Sequence, residues 1–293
     1  MESSQIYKQV SEHYSAASKG TSVGYGTTIA KSFGYSEDEL ANIPEGANLG
    51  LSCGNPMAIA SLREGETVVD LGSGAGFDIF LASSRIGPQG QAIGIDMNDD
   101  MLARANKIKS SKGAAADNVT FIKGVITEIP LEANTADCII SNCVINLVPA
   151  PEKPLVFKEM HRILKPGGRV AVSDILARKS LPQKLSDDIA MYVGCIAGAS
   201  QLAEYEGWLR GAGFDEVIIS DTKGDLNVYL DTAEDGTKKA DCCVPSATGA
   251  GCTGVQVTSC CSPAGGARTP TRMSEKTDLN EWVGSYKIYA VKK

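Results

Sequence analysis

Apolar positions along this chain follow a helical rhythm at first and then alternate between compact runs and helical stretches. Residues 5–18 have helical spacing, and Ser36 with Glu39 three residues on has the form of a capping box that opens a short second helix. Asn55-Pro56 starts a third, since proline suits the first helical turn. From about residue 66 the runs 67–71, 91–95, 119–122, 137–141 and 169–175 read as strands. Helices at 76–84, 101–109 (capped by Asn98) and 152–164 lie between them, the last broken by Pro166-Gly167-Gly168. Helices over 187–197 and 201–212 follow, then strands at 216–220 and 285–291. Nearly all-apolar strands separated by helices of this length predict a mostly parallel, seven-stranded sheet covered on both faces.

This pattern divides the chain into a helical cover over residues 1–60 and an α/β core over 61–231 and 279–293. Residues 232–278 are rich in Gly, Ser, Thr, Ala and Cys and have little periodicity, so they are expected to be a mobile insertion rather than a domain. With 43% hydrophobic and 22% charged residues the composition is that of a globular protein with a sizeable core. The formal charge of −7 and the lack of any Lys/Arg run argue against nucleic acid or an anionic membrane as partner. No apolar stretch reaches the ~18–20 residues of a membrane span, and the first residues do not form a signal peptide, so the expected location is cytoplasmic. Nine cysteines, an odd number scattered through an α/β pattern, speak against a disulfide framework and for thiols with chemistry or metal binding to do.

The segment Asp70-Leu71-Gly72-Ser73-Gly74-Ala75-Gly76 falls where the first core strand turns into a helix. Glycines there admit close backbone approach to a ligand, and the helix start offers free N–H donors. The G-x-G-x-G spacing differs from the G-x-G-x-x-G of dinucleotide sites. Asp70 would repel a pyrophosphate but suits the ammonium and sulfonium of S-adenosylmethionine. Asp96, 20 residues past Gly76 at the end of the second core strand, is placed to accept ribose hydroxyls. Met97 is expected beside the adenosine, and Val125 and Ile126 at the adenine edge, where many methyltransferases carry an acidic residue. The combination predicts a Rossmann-like class I methyltransferase fold; a tight turn in an unrelated α/β protein, or a nicotinamide site, would explain the glycines alone.

Ligands of such folds bind at the carboxyl ends of the strands, which puts Ser141-Asn142-Cys143-Val144-Ile145-Asn146-Leu147 opposite the transferable methyl group. A thiol therefore stands where the acceptor belongs. Cys195, among small residues after the fifth core strand, and Cys53, in the N-terminal cover, are candidates to join it. Three thiols would suit a soft, thiol-seeking acceptor, although a free cysteine taken singly is often a core residue. Cys138, inside an apolar strand, is read as core.

The glycine loop, Asn142-Cys143-Val144-Ile145-Asn146-Leu147, Leu51-Ser52-Cys53-Gly54-Asn55-Pro56 and Gly194-Cys195 together resemble arsenite methyltransferases. The likeness runs over about 46–220 and the final strand. It implies methylation of trivalent arsenic by S-adenosylmethionine, with glutathione or thioredoxin as reductant. It also implies that Cys143 and Cys195 bind arsenic and that Cys53, the third, receives or relays it and pairs in a disulfide. Many family members have a further cysteine upstream of Cys53, which this chain lacks. Arsenite is uncharged at neutral pH, so the absence of a basic cradle fits.

Other candidates are weaker. Cys242-Cys243, Cys252 and Cys260-Cys261 have neither C-x-x-C spacing nor a nearby histidine, so a zinc site is disfavoured and an exposed loop preferred over a thiol relay. His161 reads as structural, His13 as part of a solvated face, and Asp174 equally as pocket lining or a satisfied strand-end carboxylate. Three rival functions remain: a methyltransferase for a quinone or other small carbon acceptor, a cytosine-methylating enzyme using Cys143 as nucleophile, and a thiol-rich arsenic buffer. The second lacks the proline before the cysteine, the basic face and the target-reading domain it would need.

Overall fold

Seven strands form one sheet in the order β3-β2-β1-β4-β5-β7-β6. They are β1 (Thr67–Leu71), β2 (Gln91–Asp96), β3 (Val119–Lys123), β4 (Ala136–Asn142), β5 (Leu164–Ala177), β6 (Glu216–Asp221) and β7 (Val283–Val291). The computed structural model describes residues 2–20, 22–186, 188–233, 235–238 and 278–293. β7 runs antiparallel to both its neighbours, and all other pairs are parallel. This is the mostly parallel seven-stranded architecture that the alternation predicts.

Period-two alternation assigns the strand residues to two cores. Val69, Leu71, Ile139, Val170 and Val172 face α7 (Lys153–Ile163) and α10 (Leu202–Ala212), packing on Phe157, Met160, Tyr205 and Leu209. Val68, Cys138, Ile140 and Ala171 face the other way, onto Ile79, Phe80 and Ile86 of α5 (Phe77–Ile86) and Met101 and Ile108 of α6 (Asp99–Lys112). Cys138 is thus core, and burial pushes its thiol up to about 12. A third cluster roofs the carboxyl ends of the strands. It joins Val10 of α1 (Ser3–Ala17), Ile29 of α2 (Val23–Ser32) and Val283 with Cys53, Cys143 and Cys195.

The capping box is present at α3 (Glu37–Asn42), where the Ser36 side chain accepts from Glu39 N and Glu39 accepts from Ser36 N. Asn98 caps α6 by accepting from Met101 N. Asn55-Pro56 opens only the single turn α4 (Met57–Ala60).

Further elements differ from the sequence reading. α2 is missing from it, because Gly24 and Gly26 lower helix propensity. Gly26 is needed nonetheless, since a Cβ there would stand 2.9 Å from Asn48 Oδ1. The helix expected over 187–197 is instead α8 (Gln183–Ser186) and α9 (Ile189–Val193), and the left-handed backbone of Cys195 (φ 64°) prevents its continuation. β5 begins at Leu164 and runs through Pro166–Gly168, where the pairing with β4 shifts register between Ala136 and Cys138. Gly167 (φ 80°) makes that irregularity possible, and its N–H donates to Lys292 O. After β6 the short α11 (Val228–Asp231) precedes a bridge between Thr232 and Lys238. Of the insertion expected at 232–278, residues 239–277, including its five cysteines, lie outside the described residues.

Candidate active site

The glycine loop between β1 and α5 takes left-handed backbone at Gly72 (φ 72°), Gly74 (φ 51°) and Gly76 (φ 93°). At Gly72 glycine is required twice over, because a Cβ would lie 2.4 Å from Val144 Cγ2 of the loop after β4. Gly72 and Ser73 donate to Ile95 O, and Gly74 N donates to Asp96 Oδ2 at 2.8 Å. Asp96 Oδ1 accepts from Asn98 N at 2.8 Å. Asp96 therefore ties the loop to the start of α6, and its carboxylate keeps acceptor capacity for a ligand hydroxyl.

These residues line a cleft of about 1080 Å³, part of it open to solvent. Asp70, Gly72, Ser73, Gly74, Asp96, Met97, Val125, Ile126, Asn142 and Cys143 all line it; Gly76 does not, serving instead as the N-cap of α5. Sequence reasoning missed Asp78, Tyr7, Tyr14 and Asn48, which line it too. Asp78 was the most accessible of these, a carboxylate on the buried face of α5 two residues past Gly76. Tyr7 and Tyr14 come from α1, so the N-terminal cover forms one wall of the cleft.

The electrostatics have one sign. Asp70, Asp78 and Asp96 share the lining, and among the described residues no Lys, Arg or His does. Burial holds Asp70 well above the usual carboxylate range, with Asp78 and Asp96 adding repulsion. Burial pushes Asp78 up to about 6 against the opposing hydrogen bonds of Tyr35 and Asn142, and it raises Asp96 as well. Ser73 Oγ is buried in this lining without a hydrogen-bond partner among the described residues. Excess negative charge beside an unpartnered hydroxyl fits a ligand that carries positive charge and polar groups.

Asn142, last residue of β4, connects this cleft to the thiols. Its Nδ2 lies 3.0 Å from Asp78 Oδ2, 3.0 Å from Tyr35 OH and 2.9 Å from Gly54 O, and its Oδ1 accepts from Cys53 N at 3.2 Å. Cys53 and Cys143 form a disulfide, with Cα atoms 5.8 Å apart. Cys143 has φ 58° and donates its N–H to Ser173 O, while Ser285 Oγ donates to Cys53 O. Cys195 is a buried free thiol whose Sγ donates to Cys143 O at 2.7 Å. Its thiol is raised by burial first and the Asp174 charge second. Segments as distant as residues 53, 143 and 195 thus meet at one point, and of the three only Cys143 lines the cleft.

Asp174 does not line the cleft. It is fully buried, accepts from Tyr205 OH (2.9 Å), Asn146 Nδ2 (3.0 Å) and Ile175 N (2.9 Å), and is pushed up to about 6 by burial. One of its oxygens nevertheless lies within 4.8 Å of both Cys53 Sγ and Cys143 Sγ. His161 packs edge-on against Phe214, and His13 edge-on against Tyr14; neither lines the cleft. No helix among the described residues is long and apolar enough to cross a membrane.

Comparison with known proteins places this geometry. The family model described as "Methyltransferase domain" matches residues 62–216, more than half of the chain. The arsenite methyltransferase of Halobacterium salinarum is 42% identical over 212 residues, covering 68% of this chain and 53% of that protein. The human arsenite methyltransferase is 32% identical over 207 residues, covering 67% and 54%. The chain spans about half the length of the curated relatives it matches. Among solved structures, CrArsM, an arsenic(III) S-adenosylmethionine methyltransferase from Chlamydomonas reinhardtii, superposes with a TM-score of 0.56 at 23% identity, covering 94% of this chain and 75% of that one. With the family model, that superposition identifies the fold as the class I methyltransferase fold. On sheet order, glycine loop and family match together, this chain belongs to the methyltransferase-domain family.

Proposed function

We propose that the chain is an S-adenosylmethionine-dependent arsenite methyltransferase, acting on arsenite and methylarsenite. The observation that carries this reading is the meeting of Cys53, Cys143 and Cys195 beside an acidic cleft that no basic side chain lines among the described residues. An anionic acceptor would be repelled there, whereas a neutral trivalent arsenical meets soft sulfur. The likeness to named arsenite methyltransferases over two thirds of the chain supports it.

The cleft fits the methyl donor. Asp70 and Asp78 are the counter-charges for its ammonium and sulfonium, Asp96 the acceptor for ribose hydroxyls, and Ser73 Oγ and Gly74 N the remaining polar contacts. Met97, Val125 and Ile126 supply apolar surface for the adenine. Bound there, S-adenosylmethionine supplies a methyl group on cationic sulfur, which the arsenic lone pair takes up.

The chain's own part begins with the thiols. Each binds arsenic as thiolate, giving its proton to a departing hydroxide and releasing water. Cys143 holds arsenic at the cleft wall, with Cys195 and Cys53 as the other ligands. Alignment is the main source of rate, since reacting atoms held ~3–3.5 Å apart are worth several kcal/mol. No general base is needed, because arsenic carries no proton to remove. Gaining the methyl group formally oxidises arsenic by two electrons. Cys53 and Cys143 can return that pair by forming their disulfide, and an external thiol, glutathione or thioredoxin in a reducing cytoplasm, then reopens it.

Product speciation tests the reading. Purified protein given arsenite, S-adenosylmethionine and a dithiol is expected to yield methylarsenicals. Their absence, with methylation of a quinone instead, would replace this assignment by that of a small-molecule carbon methyltransferase.

A further inference from the structure

The loop that carries Cys195 has neither a regular helix nor a strand to hold its shape. α9 ends at Val193, Cys195 takes φ 64°, and the chain then runs through Gly198 to Ser200 before α10. Two buried polar side chains from other elements grip it. Asn146 Nδ2 approaches Cys195 O (3.2 Å), Ile175 O (2.5 Å) and Asp174 Oδ1 (3.0 Å), so one carboxamide joins the Cys195 loop to the end of β5. Lys153, in the first turn of α7, is only 2% exposed. Its ammonium donates to Gly198 O and to Ser200 Oγ (2.8 Å).

A buried lysine is uncommon because burial costs most of its hydration. Among the described residues it makes no salt bridge, and its hydrogen-bond partners there are both on the Cys195 loop. The loop is also packed without slack, since a Cβ at Gly198 would stand 2.1 Å from Asn146 O. Asn146 follows Cys143 by three residues in the same turn. The groups that place one thiol therefore also fix the distance to the next.

We infer that Lys153 and Asn146 are positioning residues that set Cys195 against Cys143, so that a small soft acceptor finds its third sulfur ligand at fixed range. The inference rests on the function proposed above. Neither side chain lines the donor cleft, so their loss should leave donor binding alone.

A double-mutant cycle on the full chain, reduced with a dithiol that is then removed, separates this from general structural support. Arsenite affinity is measured by equilibrium dialysis, and S-adenosylhomocysteine affinity by calorimetry. Lys153→Met and Asn146→Ala are each expected to weaken arsenite binding about tenfold in the native background, the scale of one hydrogen bond lost from a buried group. In a Cys195→Ser background the same substitutions should change it less than about twofold, since the ligand they place is already gone. S-adenosylhomocysteine affinity should stay within about twofold throughout, which confirms that the variants fold. Equal losses in both backgrounds, or none in the native one, would overturn the inference. Failure of the native protein to bind arsenite at all would instead sink the functional reading beneath it.

Discussion

The proposed donor half and the proposed thiol half of this site are built in opposite ways. The donor half is assembled from residues close in sequence, Asp70–Gly76 and Asp96–Met97, tied by backbone hydrogen bonds between adjacent parallel strands. The thiol half gathers residues 53, 143 and 195 through side-chain bonds of long sequence separation: Asn142 to Gly54, Ser285 to Cys53, Tyr229 to Ser52 O and Lys153 to the Cys195 loop. A cofactor loop of the first kind can be conferred by a short motif. A three-point sulfur site of the second kind exists only when the whole fold is in place, which makes it the more fragile half.

The sharpest break between the halves is Cys143→Ser. Methylation of arsenite should fall by on the order of 100-fold or more while S-adenosylhomocysteine affinity changes by no more than a few-fold, since Cys143 touches the cleft only at its wall and its main partner is the acceptor. Parallel activity assays and calorimetry decide it. Loss of both properties would mean that the halves are not separable.

Gly72→Ala strikes a close approach between them. The added methyl meets Val144 at 2.4 Å on backbone already at φ 72°, and should lower stability by about 1–3 kcal/mol and impair both functions. Thermal melts should show partial recovery in Gly72→Ala/Val144→Ala; no recovery would put the cost in the backbone alone.

Asp70→Asn should weaken S-adenosylmethionine binding about tenfold and raise the melting temperature, because it removes a carboxylate that burial penalises first and that Asp78 and Asp96 repel second. A fall in melting temperature would show that the Asp70 charge supports the fold.

The smallest effect concerns Asp174 beneath the thiols. Its carboxyl is held near 6, above the 3.8 of an unperturbed aspartate, so the folded chain keeps a proton that the unfolded chain releases. The stability it contributes is fully present below about pH 4 and is lost as pH rises through about 6. The melting-temperature difference between wild type and Asp174→Asn should therefore fall between pH 4 and 6 and be flat above. A constant difference would rule out this titration.

The same contrast explains what the sequence made legible. Strand order apart, the core could be read because a covered parallel sheet forces apolar runs at regular intervals, and the glycine loop because left-handed backbone demands glycine. Asp78 was half legible: its place two residues past Gly76 was in view, but its role depends on Tyr35 and Asn142 closing over it from afar. α2 was hidden because tertiary packing at Gly26 overrides propensity. The break before Cys195 was invisible as well: the helix closes there with Ile196 N donating to Met191 O around a left-handed residue, a place where glycine is usual and this chain has cysteine. Family resemblance pointed to Cys53, Cys143 and Cys195, and the fold brings them together, but only coordinates could show that Cys195 stands behind Cys143 rather than in the cleft wall.

The placement of β7 between β5 and β6 has an outcome for how the molecule comes into being. As the ribosome delivers the polypeptide, the five strands through β5 can zip up in turn, each beside a predecessor. β6 has no such neighbour: its ladder is entirely with β7, so residues 216–221 must wait until 283–291 arrive. Closure entropy grows only logarithmically with the intervening length, so the delay costs little in final stability and much in time. Nascent chains halted before residue 283 should leave the outer flank of β5 bare, an edge open to chaperones or to unwanted pairing.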